Sequence, residues 1–237
     1  MKTLRFLPLL AVLAACNANW SGTDCVTAST EPIERELTVQ PFNGVVSAGS
    51  IDVVLTRGDV QHVVASGPAE LLDIISTEVK SGVWQIRTTK CYSTTRPVSI
   101  AITIPKLTSA EVEGSANITG ATPFSPESID IGIEGSGNIE LQVECKDAQV
   151  EIAGSGSVTL TGTCGTLKAS IAGSGDIKGV DLSCATAKVA ISGSGDVELT
   201  VIQELSADIN GSGDVRYRGR PTVSSDINGS GSVAPME

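Results

Sequence analysis

The chain has 237 residues, room for one or two domains, with 41% hydrophobic residues but only 3% aromatic ones and 25 glycines. Small aliphatic side chains, not rings, must therefore fill its core. The formal net charge of −11 disfavours nucleic acid and anionic bilayer surfaces as partners, since phosphates are held by Lys and Arg, and favours solubility.

Lys2 and Arg5 precede an apolar stretch, Phe6 to Ala14, that is too short to span a bilayer as a helix. It ends in Leu13-Ala14-Ala15-Cys16, which resembles the lipobox of bacterial lipoproteins. The resemblance implies that residues 1–15 are a signal peptide and that Cys16 is acylated on its sulfur and on its new amine. Such an anchor exceeds the two lipid signals needed for stable membrane attachment. The plainer alternative is a secretory peptide cut nearby. Asn17, rather than Asp, after the cysteine resembles the sorting signal for the outer membrane. Residues 16–32 are polar and aperiodic and read as a flexible tether, with Trp20 at the lipid interface or loosely packed in the linker.

From Ile33 to Pro105 the pattern is strand-like but irregular. Gly49-Ser50-Ile51-Asp52-Val53-Val54-Leu55 reads as a degenerate first rung. Ala69 to Ile75 predicts a brief helical turn and Val83 to Arg87 a strand, with Trp84 closing one end of the core. Val98, Ile100, Ile102 and Ile104 alternate up to Pro105, which ends a strand.

The C-terminal half repeats one phrase, Gly-Ser-Gly-Asx-aliphatic, seven times. It begins at Gly114, then at the pairs Gly135 and Gly137, Gly154 and Gly156, Gly173 and Gly175, Gly193 and Gly195, Gly211 and Gly213, and Gly229 and Gly231. The steps between first glycines are 21, 19, 19, 20, 18 and 18 residues, the mark of a stacked repeat. Two residues before it stand Val112, Ile133, Ile152, Ile171, Ile191, Ile209 and Ile227; four after it stand Ile118, Ile139, Val158, Ile177, Val197, Val215 and Val233. Apolar residues at every second position are the pattern of strands. The fold is therefore all-β: a single-stranded parallel β-helix, or β-solenoid, of about seven rungs over residues 107–233. It is right-handed by the crossover rule and continuous with a less regular N-terminal part, in one body over residues 33–237. Parity places both glycines of each phrase on the inner face at sharp bends.

Candidate chemistry is sparse. Asp176, Asp196 and Asp214 stack in successive rungs, where a divalent cation could relieve their repulsion. Asn117, Asn138, Ser157 and Ser232 fill the same position, which favours exposed turns bonding to nearby backbone instead. Five residues after the first glycine, Lys178, Glu198 and Arg216 alternate in sign and should form one outward column that sets register. Cys145, Cys164 and Cys184 each lie nine residues before a first glycine, so they should stack within disulfide reach. One bridge fits that ladder, leaving its third member free or buried, and Cys25 with Cys91 makes the other pair in an oxidising compartment. His62, the only histidine, falls in an expected loop with no triad around it. No cofactor is implied. Tyr92 and Tyr217 are the aromatic surfaces outside core and tether on which a sugar could stack.

Ile51 to Gly58, the strand ending Ile102-Thr103-Ile104-Pro105-Lys106-Leu107 and the Gly-Ser-Gly-Asx rungs together resemble the head GIN domain family, from about Ile33 to Val233. Its members are described as auto-transporter adhesins. The resemblance implies a β-helical protein of the envelope, with no catalytic residues to carry over; no passenger or translocator domain of an autotransporter is visible. The reading is a non-catalytic adhesion or recognition module whose partner is an envelope protein, a glycan or a host or matrix ligand. A periplasmic scaffold, with homo-oligomers joined through a solenoid end, is the alternative. A glycan hydrolase or lyase is the third, and release of reducing or unsaturated ends would mark it.

Overall fold

The computed structural model describes residues 25–236; the signal peptide, Cys16, Asn17 and Trp20 lie outside them. The described chain opens with β1 (Val26–Ala28), β2 (Ile33–Glu36), β3 (Gly44–Gly49), β4 (Asp52–Arg57) and β5 (His62–Gly67), followed by one helical turn, α1 (Ala69–Leu72). Then come β6 (Val79–Lys80), β7 (Val83–Ile86), β8 (Tyr92–Thr94), β9 (Ser99–Ile104), β10 (Ser109–Gly114), β11 (Asn117–Gly120) and β12 (Ser128–Gly135). The long strands β13 (Asn138–Gly154), β14 (Ser157–Gly173), β15 (Asp176–Gly193) and β16 (Val197–Gly211) each bend through a corner, and β17 (Asp214–Arg218), β18 (Thr222–Gly229) and β19 (Ser232–Pro235) complete the chain.

These strands form a solenoid of about seven turns. One face stacks β10, β12, the second halves of β13 to β16, and β18, all parallel and with the first glycines in register from Gly114 to Gly229. The other face stacks β11, the first halves of β13 to β16, β17 and β19. Ile133, Ile152, Ile171, Ile191 and Ile209 form one column inside and are each at most 2% exposed. Each contributes about 1.5–3 kcal/mol by burial, an upper figure because unfolded chains already hide some apolar area.

The glycines depart from the parity expectation. The second glycine, from Gly137 to Gly213, is buried as expected, but the first, from Gly114 to Gly211, lies half-exposed on the corner; in the last phrase Gly229 is exposed and Gly231 half-buried. The φ of the first glycine is between +133° and +147° in all seven phrases. A positive φ breaks the two-residue alternation, so the first glycine turns along the stack instead of inward. A Cβ on Gly193 would come within 3.0 Å of the carbonyl oxygen of Gly173. Only glycine meets both conditions.

The N-terminal part is layered out of chain order. β3 lies between β7 and β10, and β4 between β9 and β11, all parallel. Thus Gly49-Ser50-Ile51 is a true rung, in register with Gly114, but it is the second layer: the chain leaves it, builds the layer of β7 and β9, and returns to begin β10. Antiparallel β5, β2 and β6 flank that outermost layer. Trp84 is fully buried there, with Nε1 donating to the Ser76 carbonyl at 3.0 Å and its ring centroid 5.4 Å from that of Phe42. His62 opens strand β5 opposite Thr103 instead of lying in a loop, because antiparallel pairing with β9 claims its backbone. The stretch expected as tether contributes β1, which pairs with β8.

Candidate functional site

Two corners separate the faces, and they carry different chemistry. At the Gly-Ser corner, each serine amide donates to the carbonyl of the first glycine in the rung before: Ser115 to Gly49 at 2.8 Å, Ser136 to Gly114 at 2.8 Å, and so on to Ser230 and Gly211 at 2.9 Å. The backbone is thus fixed while the serine side chains stand exposed in a row. At the N-terminal end of this row, an open cleft of about 510 Å³ is lined by Thr88, Tyr92, Ser50, Ser115 and Ser136 together with Gly49, Gly114 and Gly135. Tyr92 and Ser50 share a hydrogen bond of 2.9 Å between their hydroxyls. The position of Tyr92 depends on Cys91, which is bridged to Cys25 across a Cα separation of 4.6 Å, and on β1 pairing with β8. The sequence marked Tyr92 as an aromatic outside core and tether and placed it next to a disulfide cysteine, but its meeting with Ser50 and the serine row is a long-range contact. Tyr92 is half-buried and packs against the first layers of the core, as Tyr217 does near the last rungs.

The Asx positions form hydrogen-bonded ladders beside the same corner. Asp52 Oδ1 accepts from the Asn117 amide at 2.8 Å, and the Asn138 side-chain amide donates to Asn117 Oδ1 at 2.9 Å. After Ser157 the ladder resumes: Asp176 Oδ1 accepts from the Asp196 amide at 3.2 Å, Asp196 Oδ1 from the Asp214 amide at 2.8 Å, and Asp214 Oδ1 from the Ser232 amide at 2.9 Å. One oxygen of each aspartate is therefore engaged by the backbone of the next rung. Among the described residues no group of three His, Cys, Asp or Glu is placed to hold a metal ion.

The opposite corner carries the cysteines. Cys145, Cys164 and Cys184 are register partners in succession; Cys164 and Cys184 are bridged, with Cα atoms 4.6 Å apart, and Cys145 is free. Burial first, and then the Asp147 carboxylate, push the Cys145 thiol up from its ordinary pKa. Lys178, Glu198 and Arg216 lie in one column, with Arg216 Nη1 at 3.5 Å from Glu198 Oε1. On the flat face, burial raises the pKa of Glu111, followed by the charges of Glu113, Glu134 and Glu151. His62 is exposed, with Nε2 at 3.5 Å from Glu36 Oε1.

No curated protein matches the chain. Solved structures do. A "putative adhesin" from Bacteroides fragilis NCTC 9343 is 23% identical, with a TM-score of 0.84 over 89% of this chain and 100% of that one. A "putative lipid binding protein" from Parabacteroides distasonis ATCC 8503 is 24% identical, with a TM-score of 0.76 over 90% and 100%. A "putative adhesin" from Parabacteroides merdae ATCC 43184 is 18% identical, with a TM-score of 0.74 over 90% and 100%. These likenesses show the fold. Residues 41–221, most of the chain, match the family described as "Putative auto-transporter adhesin, head GIN domain", and the chain belongs to that family.

Proposed function

We propose that the chain is a lipid-anchored protein of the cell envelope, acylated at Cys16 and directed to the outer membrane, whose solenoid serves as a non-catalytic recognition module. The lipobox-like Leu13-Ala14-Ala15-Cys16 supports the anchor, and membership of an adhesin-described family supports the recognition role. The observation that carries the reading is the outer surface: polar side chains repeat in register from rung to rung, and the row at the Gly-Ser corner runs into a preformed cleft. A rigid backbone holding hydrogen-bonding groups at fixed spacing suits recognition, because little ordering cost remains at binding. Protease shaving of whole cells, with and without outer-membrane permeabilisation, tests the address. Digestion on intact cells supports surface adhesion, whereas protection until permeabilisation turns the reading towards a periplasmic module, and a protein found unacylated in the soluble fraction overturns the anchor.

A second reading, assembly through the solenoid end, has its own observation. Among the described residues β18 and β19 pair on one side only, and Val223 and Ile227, whose counterparts in earlier rungs are buried, are each 37% exposed. Light scattering of the purified protein separates the two: a monomer at micromolar concentration removes the assembly role.

A further inference from the structure

We infer that the cleft between Tyr92 and the Gly-Ser corner binds an uncharged saccharide chain lying along the serine row; this rests on the recognition role proposed above. The first argument is composition. The chain carries a formal charge of −11, yet the residues lining its roughly 510 Å³ cleft include no charged side chain. That volume falls among those of small-molecule sites, which pair a few fixed polar groups with apolar surface. Hydroxyls from Ser50, Ser115, Ser136 and Thr88 can both donate and accept, as the hydroxyls of a sugar require. Tyr92, half-buried against the core, leaves part of its ring on the cleft, against which the C–H face of a sugar can lie.

The second argument is preorganisation. Each serine amide is committed to the rung before it, so the serine backbones are held about 4.8 Å apart, the spacing of adjacent strands, and only the hydroxyl rotor is left to order. Tyr92 is fixed by its bond to Ser50 and by the neighbouring Cys25–Cys91 bridge. The glycines keep the corner low: at Gly49 an added Cβ would meet nothing within 4 Å, so the backbone lies open to a ligand there. The row continues past the cleft through Ser155, Ser174, Ser194 and Ser212, all exposed. A polymer can therefore leave the cleft and follow the corner.

The third argument is the rim. Glu113 and Glu134 are exposed and immediately precede the cleft glycines Gly114 and Gly135. Glu113 is the register partner of the cleft residue Ala48, and on the other side Arg87 is paired with Glu78 while Lys90 is exposed, so the carboxylates on the serine side disfavour uronate-bearing or sulfated chains along the row.

The test is calorimetric titration of the full-length purified protein with cellohexaose, chitohexaose, maltohexaose and soluble mannan, against polygalacturonate, heparin, fibronectin and collagen. At least one neutral saccharide should bind. Tyr92→Ala should weaken it about tenfold or more, and Ser115→Asp should do the same by placing a charge in the row, while Tyr217→Ala should leave it within about twofold. Circular-dichroism melts of each variant separate lost binding from lost fold. Tyr92→Phe, which keeps the ring and loses the Ser50 bond, should retain most of the affinity. Neutral-saccharide binding that survives both Tyr92→Ala and Ser115→Asp in folded protein overturns the assignment of the cleft. Binding confined to the acidic polymers or the matrix proteins overturns the ligand class and leaves the recognition role standing. A protein that binds none of the eight probes overturns the saccharide assignment and counts against the recognition role as well.

Discussion

Alanine at Gly49 and at Gly193 separates the two reasons a corner needs glycine. Both residues have strongly positive φ, +124° and +137°. At Gly49 an added Cβ meets nothing within 4 Å, whereas at Gly193 it falls within 3.0 Å of the Gly173 carbonyl. Gly49→Ala therefore carries backbone strain alone, about 1–3 kcal/mol. For a domain of this size each kcal/mol lowers the Tm by about 2–4 °C, so a fall of about 2–12 °C is expected. Gly193→Ala adds overpacking of about 1–3 kcal/mol and should fall roughly twice as far. Thermal melts followed by circular dichroism, with urea midpoints as a check on the slope, measure both. If Gly193→Ala melts no lower than Gly49→Ala, the close approach between corners is not what excludes a side chain. If neither moves, the positive φ carries no cost and the account of the corner fails.

Three further outcomes follow from particular contacts. In Cys184→Ser, Cys164 loses its partner but keeps Cys145 as the register neighbour on its other side, so peptide mapping should find a Cys145–Cys164 bridge; Cys145 still open to alkylation would contradict the ladder. Asp196→Ala removes the acceptor of the Asp214 amide and should cost about 0.5–1.5 kcal/mol, while Asp196→Asn should stay near the parent. Calcium should leave the parent Tm unchanged, and a calcium-dependent rise abolished by Asp196→Asn would assign the aspartate column to a cation instead. Glu111 is held above its ordinary pKa by burial and by neighbouring carboxylates, so the folded state binds its proton more tightly than the unfolded one. Its ionisation then disfavours the fold as pH rises from the ordinary carboxylate value through the raised one. Glu111→Gln should stabilise the protein at pH 7, with the gain vanishing as pH falls below the ordinary value; a gain that persists in acid would point to packing, not charge.

The columns were legible because a period of two, repeated seven times, places Ile152 over Ile133 whatever the corner does. The cysteine ladder was legible for the same reason, since equal offsets from a glycine become equal heights in the stack. The orientation of Gly193 was not, because parity assumes extended φ throughout and a positive φ resets the count. Nor was the layer order around β3: a single Gly49-Ser50 phrase says that a rung exists, but its neighbours depend on which sheet edge is covered by chain that comes later. β1 escaped notice because three residues, Val26 to Ala28, show too little pattern, and the disulfide that holds them is a long-range fact. The cleft was out of reach for a like cause, as Tyr92 and Ser50 meet from 42 residues apart.

The interleaving of β3 between β7 and β10 gives the stack unequal resistance to force at its two ends. Tension applied from Pro235 frees β19, then β18 and β17, one ladder at a time, as expected where each repeat touches only its neighbours. That unzipping stops when it reaches the covalent tie between Cys164 and Cys184. Tension applied from Cys25 is first transmitted through its bond to Cys91, beside the short β1–β8 ladder, and then meets β7 and β9, each paired on both sides, by β3 and β6 and by β4 and β5. A protein tugged from its N-terminal side would therefore hold its shape under loads that strip its far end.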